Sequence, residues 1–592
     1  MADIFFLIIK LVIGVDKEET MASPGSHIVV LAFVLLISSK LAECHNIVRF
    51  LPGFQGPLPF LLETGYVEVG ETEAEEHAEL FYYFIESEND PKGNPLLLWL
   101  TGGPGCSAFS GLVFEIGPLT FKNEEYNGSL PNLTLKPQSW TKVSSIIFVD
   151  LPAGTGFSYP KTERAVQQSS SKLVRHAHQF IRKWLIDHPE FLSNEVYIAG
   201  DSYCGIPVPV IVQEISNGIA RTNKRIKLYA KVETKLKYIE TSLYSNMLVL
   251  LWISPFAQFS IPAGNEGGMQ PWIYIQGYLL GNPITTSTEK NYEIPFNHGM
   301  ALISDELYES LQKNCRGEYR NIDPRNALCL RDMQSYEEKP NQQRRSLQLQ
   351  PHAQVQLQAA EAPVRNPGPT GIPAVIDPSG INSYGQHFVP RNVHIRGIET
   401  GHVLAPLCDE SDLRNDMEVT WRRSSLAHKT SAFFSPRLTL PPLYCRSHAY
   451  VLCSYWANDD NVRKALHVRK GSIGKWTRCN DDLKSKFNAD IPSSFQYHVN
   501  LSRKGYRSLI YSGDHDMVVP FLATQAWIRS LNYSIVSDWR QWYYDGQVAG
   551  YTRTYSNRMT FATVKGGGHT APEYKPEECL AMFSRWISNM PL

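Results

Sequence analysis

The sequence predicts an α/β fold built on a mostly parallel sheet, because short apolar runs alternate with helix-like stretches and end in polar or glycine-rich loops. Leu96 to Leu100 leads into Thr101-Gly-Gly-Pro-Gly-Cys-Ser107, and Ile146 to Val149 leads into Asp150-Leu-Pro-Ala-Gly154. A helix-like stretch from Ser171 to Trp184 separates the second run from the next one. In such sheets the functional groups lie in the loops that follow the strands, so a site is expected there.

The next apolar run, Val196 to Ala199, continues into the hexapeptide Gly200-Asp-Ser-Tyr-Cys-Gly205 and then into a helix-like stretch from Val208 to Ile215. A strand, a tight turn that carries a serine, and a helix together describe a nucleophile elbow, which exposes the serine oxygen at the end of the sheet. The usual elbow has glycine two residues after the serine, but Cys204 stands there and glycine follows one place later. Ser202 is therefore the candidate nucleophile, although an ordinary surface turn also fits these six residues.

Two later apolar runs end in loops that carry the other groups a serine nucleophile needs, a base and a carboxylate that orients the base. Leu509 to Tyr511 leads into Ser512-Gly-Asp-His-Asp516, and Thr560 to Val564 leads into Lys565-Gly-Gly-Gly-His569. The chain order of serine, acid and histidine is the one expected for an elbow of this kind. His569 is the candidate base, and the three glycines before it let the backbone approach a partner closely.

The residues alone leave the carboxylate and one oxyanion donor open. Asp514 and Asp516 both fit the orienting acid, since they lie in the same loop. The backbone N–H of Tyr203, directly after the serine, is expected to be one oxyanion donor. A second donor is expected from the Gly102-Gly103 turn after an earlier strand.

The composition excludes several classes of function. The chain has 592 residues, a formal net charge of -1, and 43% hydrophobic and 11% aromatic residues, which is typical of a globular protein. The balanced charge gives no reason to expect nucleic acid or an anionic surface as a partner. No close pairing of cysteine and histidine of the zinc type occurs, so neither a metal nor another cofactor is expected.

The N-terminus predicts a targeting segment. Ile28 to Ile37 has the length of a signal-peptide core and is too short for a membrane span, and small residues suited to cleavage follow it. We expect a signal peptide at about 21–44, with a signal anchor as the alternative. Because Met21 is the better start, residues 1–20 are expected to be an upstream artefact. No later apolar run is long enough for a stable membrane span.

Entry into the secretory pathway, with the vacuole or the cell exterior as destination, agrees with two further features. The ten cysteines allow a partial disulfide framework. Sequons of the Asn-x-Ser/Thr type supply four candidate glycosylation sites. They are Asn127, Asn132, Asn500 and Asn532.

Two segments interrupt the alternation of strands and helices. Residues 219–265 hold a basic patch and an apolar run, and residues 339–396 are rich in Gln, Pro, Arg and Gly. Loops of such length are unusual inside a compact domain. We hypothesise that both are retained introns or wrongly joined exons, with genuine insertions as the alternative. Amplification of the transcript across both regions tests this, since products that contain both segments would contradict the hypothesis.

Several motifs together make the chain similar to the serine carboxypeptidase family, from about His45 to Leu592 outside the two odd segments. The motifs are Trp99-Leu-Thr-Gly-Gly-Pro-Gly-Cys-Ser107, Gly156-Phe-Ser-Tyr159, Gly200-Asp-Ser-Tyr203, Gly277-Tyr-Leu-Leu-Gly-Asn-Pro283, Tyr511-Ser-Gly-Asp-His-Asp516 and Gly567-Gly-His569. The resemblance implies that 45–592 forms a single α/β-hydrolase domain with helices on both faces of the sheet and an inserted helical cap.

The resemblance also assigns roles to the candidate residues. It implies Ser202 as nucleophile, Asp516 rather than Asp514 as the orienting acid, and His569 as base. It implies that the oxyanion donors are the backbone N–H groups of two residues. They are Gly103 and Tyr203.

Pairs of cysteines and a processing site follow from the same resemblance. The implied disulfides are Cys106–Cys479, Cys315–Cys329 and Cys408–Cys445. Cys44 falls in the expected signal peptide, and the three cysteines that remain after it are expected to be reduced and buried. They are Cys204, Cys453 and Cys579. The basic, polar stretch 409–437 resembles a processing linker, at which some relatives are cut into two chains joined by a disulfide.

Four residues are candidate substrate contacts by the resemblance: Thr101, Gly102, Glu115 and Asp201. Peptidases of the family usually have Asn and Glu in place of Thr101 and Asp201, where they help to hold the C-terminal carboxylate of a peptide. Thr101 has a single hydroxyl donor and Asp201 is one methylene shorter, so the clamp for this carboxylate is altered.

The combination of Thr101 and Asp201 resembles plant acyltransferases of the family. These take an acyl group from a 1-O-β-glucose ester and pass it to an alcohol, so the expected partners are an acyl glucose donor and an alcohol acceptor. A serine-type carboxypeptidase is the alternative, and an inactive pseudoenzyme is a third reading. Cys204 departs from the serine usual at that place in the acyltransferases.

Overall fold

The computed structural model describes residues 46–70, 76–217, 271–338, 398–408 and 442–592. A compact unit comprises Val48 to Leu592, and of the unit before it only the last two residues are described.

Several predictions fall on other parts of the chain and lie outside the described residues. They are the targeting region 1–44, the two odd segments 219–265 and 339–396, and the processing linker 409–437.

Fourteen strands occur in the described residues. They are β1 (Asn46–Val48), β2 (Leu62–Val69), β3 (Ala78–Ile85), β4 (Leu96–Leu100), β5 (Leu119–Phe121), β6 (Leu133–Leu135), β7 (Ser145–Val149), β8 (Tyr159–Pro160), β9 (Val196–Asp201), β10 (Ile275–Gly281), β11 (Arg507–Gly513), β12 (Ile535–Tyr544), β13 (Gln547–Tyr555) and β14 (Met559–Val564).

Eleven of the thirteen strands from β2 onwards form one large sheet in the order β2-β3-β7-β4-β9-β10-β11-β14-β13-β12, with β8 paired to β3. The six central strands, β7 to β14 in this order, are parallel. The pairs β2–β3, β3–β7, β13–β14 and β12–β13 are antiparallel, and β5 and β6 form a separate ribbon. The predicted α/β-hydrolase fold is confirmed.

Helices lie between the strands. They are α1 (Ser170–Asp187), α2 (207–217), α3 (Glu293–Gly299), α4 (Asp305–Cys315), α5 (Ala327–Glu338), α6 (Arg446–Ala457), α7 (Asp460–Ala465), α8 (Asp481–Lys486), α9 (Phe495–Arg503), α10 (Phe521–Ser530), α11 (Ala571–Tyr574) and α12 (Pro576–Ile587). Helices α3 to α9 occur between β10 and β11, which is where the inserted cap is found. No helix in these ranges is long and apolar enough to cross a bilayer.

The apolar runs form central strands because both faces of the sheet are covered. All five residues of β4 are buried. Leu97 and Trp99 pack into one core, whereas Leu96, Leu98 and Leu100 pack into the other. Alternate side chains of a strand point to opposite faces, so a run that is apolar throughout fits a strand with a core on each side.

Three disulfides occur among the described residues, and they join the cysteines that the resemblance implied. Cys106–Cys479 spans 373 residues and ties the loop after β4 to the segment before α8. Cys315–Cys329 lies in the cap, and Cys408–Cys445 precedes α6. The three other described cysteines are free and buried.

Candidate active site

Three neighbouring loops meet at the carboxyl edge of the parallel strands. Ser202 directly follows β9, Asp516 follows β11, and His569 follows β14. In the sheet these strands are separated only by β10, because the order is β9-β10-β11-β14. Parallel strands end at the same edge, which places the three side chains together.

The three side chains form a continuous hydrogen-bonded row. His569 Nε2 lies 2.8 Å from Ser202 Oγ, and His569 Nδ1 lies 2.8 Å from Asp516 Oδ2. Asp516 is fully buried, while 20% of the His569 side chain is exposed. This is the spacing needed for a histidine to take a proton from the serine while a carboxylate orients the ring.

Asp516 is itself held by three donors. Asn282 Nδ2 donates to Asp516 Oδ2 at 2.8 Å, the Val518 N–H donates to Oδ1 at 2.8 Å, and the Val519 N–H donates to Oδ2 at 3.3 Å. Asn282 also accepts from the Gly513 N–H at 3.1 Å. It therefore links the end of β10 to the loop that carries Asp516, residues 514–520, which is called the acid loop. The sequence reasoning did not single out Asn282, although it quoted the motif that contains it.

Asp514, the other candidate acid, points away from the histidine. Its Oδ1 accepts from the Gly566 N–H at 2.7 Å and contacts the ring of His515. The carboxylate thus fastens the acid loop to the loop that precedes His569. Of the two aspartates, Asp516 is the one that contacts the base.

The elbow places Ser202 in the left-handed region, with φ of +57°. A Cβ added to Gly200 would lie 2.5 Å from the Leu100 carbonyl oxygen and 2.7 Å from Cys204 Cβ. A Cβ on Gly205 would lie 2.3 Å from the Ile284 carbonyl oxygen. Gly205 is therefore needed because the loop after β10 approaches it closely. At position 204 a small side chain fits beside Gly200.

The Cys204 thiol is no rival to Ser202. Burial, and after it the negative charge of Asp201, raises the pKa of the thiol well above its usual value. The thiolate is the reactive form of cysteine, so this side chain is inert packing beneath the elbow.

The candidate oxyanion donors flank Ser202 from two sides. Tyr203 lies in the first turn of a short 3₁₀ helix, Ser202–Gly205, where backbone N–H groups have no acceptor within the helix. The Tyr203 hydroxyl contacts Ser170 Oγ at 2.8 Å, which fixes this residue against α1. On the other side, a Cβ on Gly102 would lie 2.7 Å from Ser202 Cβ. The Gly102-Gly103 turn thus lies directly against the nucleophile.

The acidic candidates Glu115 and Asp201 are both buried beside this turn. Asp201 Oδ1 accepts from the Gly102 N–H at 2.8 Å. Burial raises the Asp201 pKa to about 6, although the positive charge of His569 and the bond from Gly102 oppose the rise. Burial, and then the negative charges of Asp201 and Glu573, raise the pKa of Glu115 well above its usual value. Burial therefore favours the neutral form of Glu115, whereas Asp201, with a pKa of about 6, is mostly ionised at pH 7.

Several buried polar atoms near this turn have no hydrogen-bond partner in the described part of the chain. Thr101 Oγ1, Glu115 Oε2 and the Trp99 indole N–H are among them. A Cβ on Gly111 would lie 2.7 Å from Trp99 Nε1 and 3.1 Å from Thr101 Oγ1, so these two groups border the same point. Buried polar groups are normally satisfied, so a polar group of a substrate or a water is expected to pair with them. Trp99 was not among the residues singled out from the sequence.

The electrostatics of His569 suit a base. Burial alone would lower its pKa, but the charge of Asp516, the hydrogen bond to it and the charge of Asp201 outweigh burial and raise the pKa. The protonated ring that forms when the histidine takes a proton is therefore stabilised where it is needed. No cluster of three metal-binding side chains occurs among the residues that the structure describes.

The candidate glycosylation sites lie away from these loops. Asn127, Asn132 and Asn532 are exposed, whereas Asn500 is half-buried in α9. Asn500 Oδ1 accepts from Gln496 Nε2 at 3.1 Å within the same helix.

A profile of the serine carboxypeptidase family matches residues 52–232 and 253–589. Serine carboxypeptidase-like 19 of Arabidopsis thaliana is 43% identical over 569 residues, which cover 96% of this chain and 99% of that protein. Serine carboxypeptidase-like 1 of the same plant is 44% identical over 576 residues, 97% and 100% of the two chains.

Among solved structures, Kex1Δp, a prohormone-processing carboxypeptidase from Saccharomyces cerevisiae, superposes with a TM-score of 0.54 at 16% identity and covers 93% of each chain. At this identity the likeness concerns the fold.

Proposed function

The chain belongs to the serine carboxypeptidase family, and from that premise we propose that it is an acyltransferase of the family. It moves an acyl group from a 1-O-β-glucose ester to an acceptor alcohol through an acyl-enzyme at Ser202. The observation that carries the proposal is the state of the residues beside the nucleophile, where an ionised Asp201 and the single hydroxyl of Thr101 replace a clamp for a peptide carboxylate.

In the first half of the reaction Ser202 Oγ attacks the ester carbonyl and its proton passes to His569 Nε2, 2.8 Å away. Asp516 stabilises the imidazolium, and the N–H groups of Gly103 and Tyr203 stabilise the oxyanion. The C–O bond to glucose then breaks, and His569 gives its proton to the departing sugar oxygen. Ser202 is left as an ester of the acyl group.

In the second half the acceptor hydroxyl gives its proton to His569 and attacks the acyl carbon. The bond to Ser202 Oγ breaks, the serine recovers the proton from His569, and the new ester leaves. Water competes with the acceptor at this step, so transfer depends on an acceptor that is held near the acyl group while water is kept out.

The ionisation of Asp201 supports transfer over peptide hydrolysis. A group with a pKa of about 6 is mostly negative at pH 7, and a negative Asp201 repels the C-terminal carboxylate of a peptide. Its Oδ1 is also occupied by the Gly102 N–H. A neutral sugar or phenol meets no such repulsion, so the site favours an uncharged donor.

Carboxypeptidase activity is the second candidate, and Glu115 favours it. Its raised pKa favours the neutral acid, a form that can share a proton with a bound carboxylate. Below pH 6, where Asp201 is also neutral, the repulsion disappears. If this is the activity, the KM for a peptide is therefore expected to fall as the pH falls below 6, whereas kcat falls because His569 becomes protonated.

The deciding experiment incubates the full chain with a 1-O-β-glucose ester and a panel of alcohols, and separately with a blocked dipeptide at pH 5 and pH 7. Ester transfer that is abolished by Ser202→Ala supports the proposal. Dipeptide hydrolysis without transfer would replace it with the carboxypeptidase, and no turnover of either substrate would favour the pseudoenzyme.

A further inference from the structure

Residues 398–408, which we name the strap, lie against both the acid loop and the loop that carries His569. The latter, residues 565–570, is called the histidine loop. The Met517 N–H donates to the Thr400 carbonyl at 3.0 Å, and the Val403 N–H donates to the His515 carbonyl at 3.1 Å, so the strap bonds both neighbours of Asp516. The His569 N–H donates to the Gly401 carbonyl at 2.7 Å. The same four residues of the strap thus bind the acid loop and the base itself.

The two loops also contact one another, but closer to the sheet. The Asp514 N–H donates to the Val564 carbonyl at 3.2 Å, and the His515 N–H donates to the Gly567 carbonyl at 2.9 Å. Beyond these points the backbone N–H groups of Met517 and His569 both bond to the strap. The strap therefore bridges the two loops at their tips, which carry the side chains of Asp516 and His569.

The histidine loop is shaped to receive the strap. A Cβ on Gly568 would lie 2.4 Å from the Gly401 carbonyl oxygen and 2.9 Å from His402 Cβ. Only glycine at this position allows so close an approach. One of the three glycines before His569 therefore serves the contact with the strap.

His402 is the side chain of the strap that touches both loops. Its Nδ1 accepts from the Leu404 N–H at 3.3 Å, which leaves Nε2 to carry the proton and donate to the Gly566 carbonyl at 3.1 Å. The ring centre lies 5.1 Å from that of His515 and 4.7 Å from that of Tyr574. His402 is thus packed between the residue before Asp516 and the helix after His569.

Both ends of the strap are anchored to elements near the site. Ile398, at one end of the strap, packs against a small apolar cluster of Val403, Met517 and Phe296. At the other end the Cys408–Cys445 disulfide fixes the strap to the start of α6. The next residue, Arg446, donates to the Glu573 carbonyl at 3.1 Å, and its guanidinium lies 3.7 Å from the centre of the Tyr574 ring.

We propose that the strap is a positioning element of the active site, in which His402 and the Cys408–Cys445 disulfide keep the loops of Asp516 and His569 in register. The proposal rests on the proposed function only in requiring that Ser202, His569 and Asp516 act together. A misplacement of about 1 Å in such a site costs on the order of a hundredfold in rate. Loss of the strap contacts thus impairs the chemical step without removing any group that touches the substrate.

The test uses the full chain with His402→Ala, and with Leu404→Ala as the matched control, because Leu404 lies in the strap with 67% of its surface exposed. The rate at which a fluorophosphonate labels Ser202 is measured first, since it reports the triad whatever the natural substrate is. We expect labelling by His402→Ala to slow at least tenfold, with the melting temperature unchanged and labelling by Leu404→Ala as fast as in the wild type.

A second readout separates positioning from a general loss of structure. His569 is surrounded by Asp516 and Asp201, which raise its pKa, and by Lys484, which lowers it. When the Asp516 contact loosens, the acid limb of the pH–rate profile moves to lower pH. In the assay of ester transfer, we expect the kcat of His402→Ala to fall while its KM stays within about twofold of the wild-type value.

The double variant Cys408→Ser/Cys445→Ser is expected to slow labelling in the same direction, since it frees the other end of the strap. Two results would overturn the proposal. In the first, His402→Ala is labelled at the wild-type rate. In the second, its labelling slows only in proportion to a lower melting temperature, and the acid limb of its pH–rate profile does not move. If wild-type Ser202 is labelled but no acyl group is transferred, the proposed function fails. The labelling rates of the variants then still test the role of the strap. A wild type that is not labelled overturns both.

Discussion

At the scale of single residues, the site depends on backbone positions that only particular side chains tolerate. Ser202 at φ +57° and Asn282 at φ +43° both lie in the left-handed region, where a residue other than glycine costs of order 1 kcal/mol. Asparagine is among the residues that enter this region most readily. The strain at both positions is offset by the packing of the elbow and by the bonds of Asn282 to the acid loop.

Exchange of the two altered clamp residues tests substrate choice. In Thr101→Asn/Asp201→Glu the amide adds donors and the longer acid reaches further, so the site regains the groups that hold a peptide carboxylate. We expect the ratio of dipeptide hydrolysis to ester transfer to rise by at least about tenfold. Both rates are measured on the same preparation, with Ser202→Ala as the blank. An unchanged ratio would show that specificity is set elsewhere.

Asn282→Ala removes a donor from the buried carboxylate of Asp516. We expect kcat to fall about tenfold and the free energy of unfolding to fall by about 1–3 kcal/mol, because the carboxylate loses a partner in a buried place. Kinetics and chemical denaturation measure the two effects. Asn89→Ala is the control, since the hydrogen bond from Asn89 to the Lys142 carbonyl is exposed to solvent. A kcat equal to that of the wild type would mean that the two N–H donors suffice.

The charge of Asp201 predicts a shift in the pH–rate profile. His569 acts as a base only when neutral, so activity is lost as the pH falls through its raised pKa. Asp201→Asn removes a negative charge that stabilises the imidazolium, and the acid limb of kcat/KM is expected to move to lower pH. Asp538→Asn is the control, because Asp538 is exposed and pairs with Arg553. An acid limb that moves to higher pH contradicts the assignment of charges.

At the scale of elements, the Cys106–Cys479 disulfide links the turn that carries Gly103 to the segment before α8. Around it the Ser107 N–H donates to the Arg478 carbonyl at 2.7 Å, and the Asn480 N–H donates to the Gly105 carbonyl at 2.9 Å. The cap is thus fastened directly to the loop expected to hold the oxyanion. A displacement of the cap would therefore also displace the turn that carries Gly103.

Removal of disulfides is expected to cost more for the longer loop. Cys106→Ser/Cys479→Ser opens a loop of 373 residues and Cys315→Ser/Cys329→Ser a loop of 14. Chain entropy predicts losses of about 6 and about 3 kcal/mol in unfolding free energy. Denaturation of both variants measures the difference, and kinetics should show that only the first lowers kcat. Equal losses would mean that strain or residual structure outweighs chain entropy.

At the scale of the whole molecule, the chain combines a family fold with two segments whose composition departs from the alternation of strands and helices. The family profile omits 233–252, inside the first odd segment, and continues through the second. The described residues on both sides of these segments fold into one compact unit.

Passage through the secretory pathway predicts both cleavage and glycosylation. Expressed in a plant cell, the chain should begin after the segment 21–44 and lose mass when treated with an N-glycosidase. Exposed Asn127, Asn132 and Asn532 are expected to carry glycans, whereas Asn500 is half-buried in a helix. N-terminal sequencing and mass spectrometry check this, with the Asn→Gln variants as controls. An intact N-terminus without glycans would contradict the secretory route.

Much of the site could be found from the sequence because its signals are local. The apolar runs, the glycine-bounded turn at Ser202 and the glycines before His569 each occupy a few consecutive residues. Local patterns of this kind reflect strand burial and turn geometry, which the neighbouring residues dictate. The similarity of these motifs to the family supplied the disulfide pairs, which spacing alone does not give.

The α/β fold, the elbow, and the loops that bear the acid and the base can all be predicted from local sequence patterns. Three features emerge only in the folded chain: Asp514 turns away from His569, Asn282 supports Asp516, and the Ile284 carbonyl approaches the second elbow glycine too closely for a side chain. The tertiary structure alone brought the strap to His569, across more than 160 residues of chain. These features depend on contacts between distant parts of the chain, and the direction of a side chain at such a contact is set by its partners rather than by its neighbours in sequence.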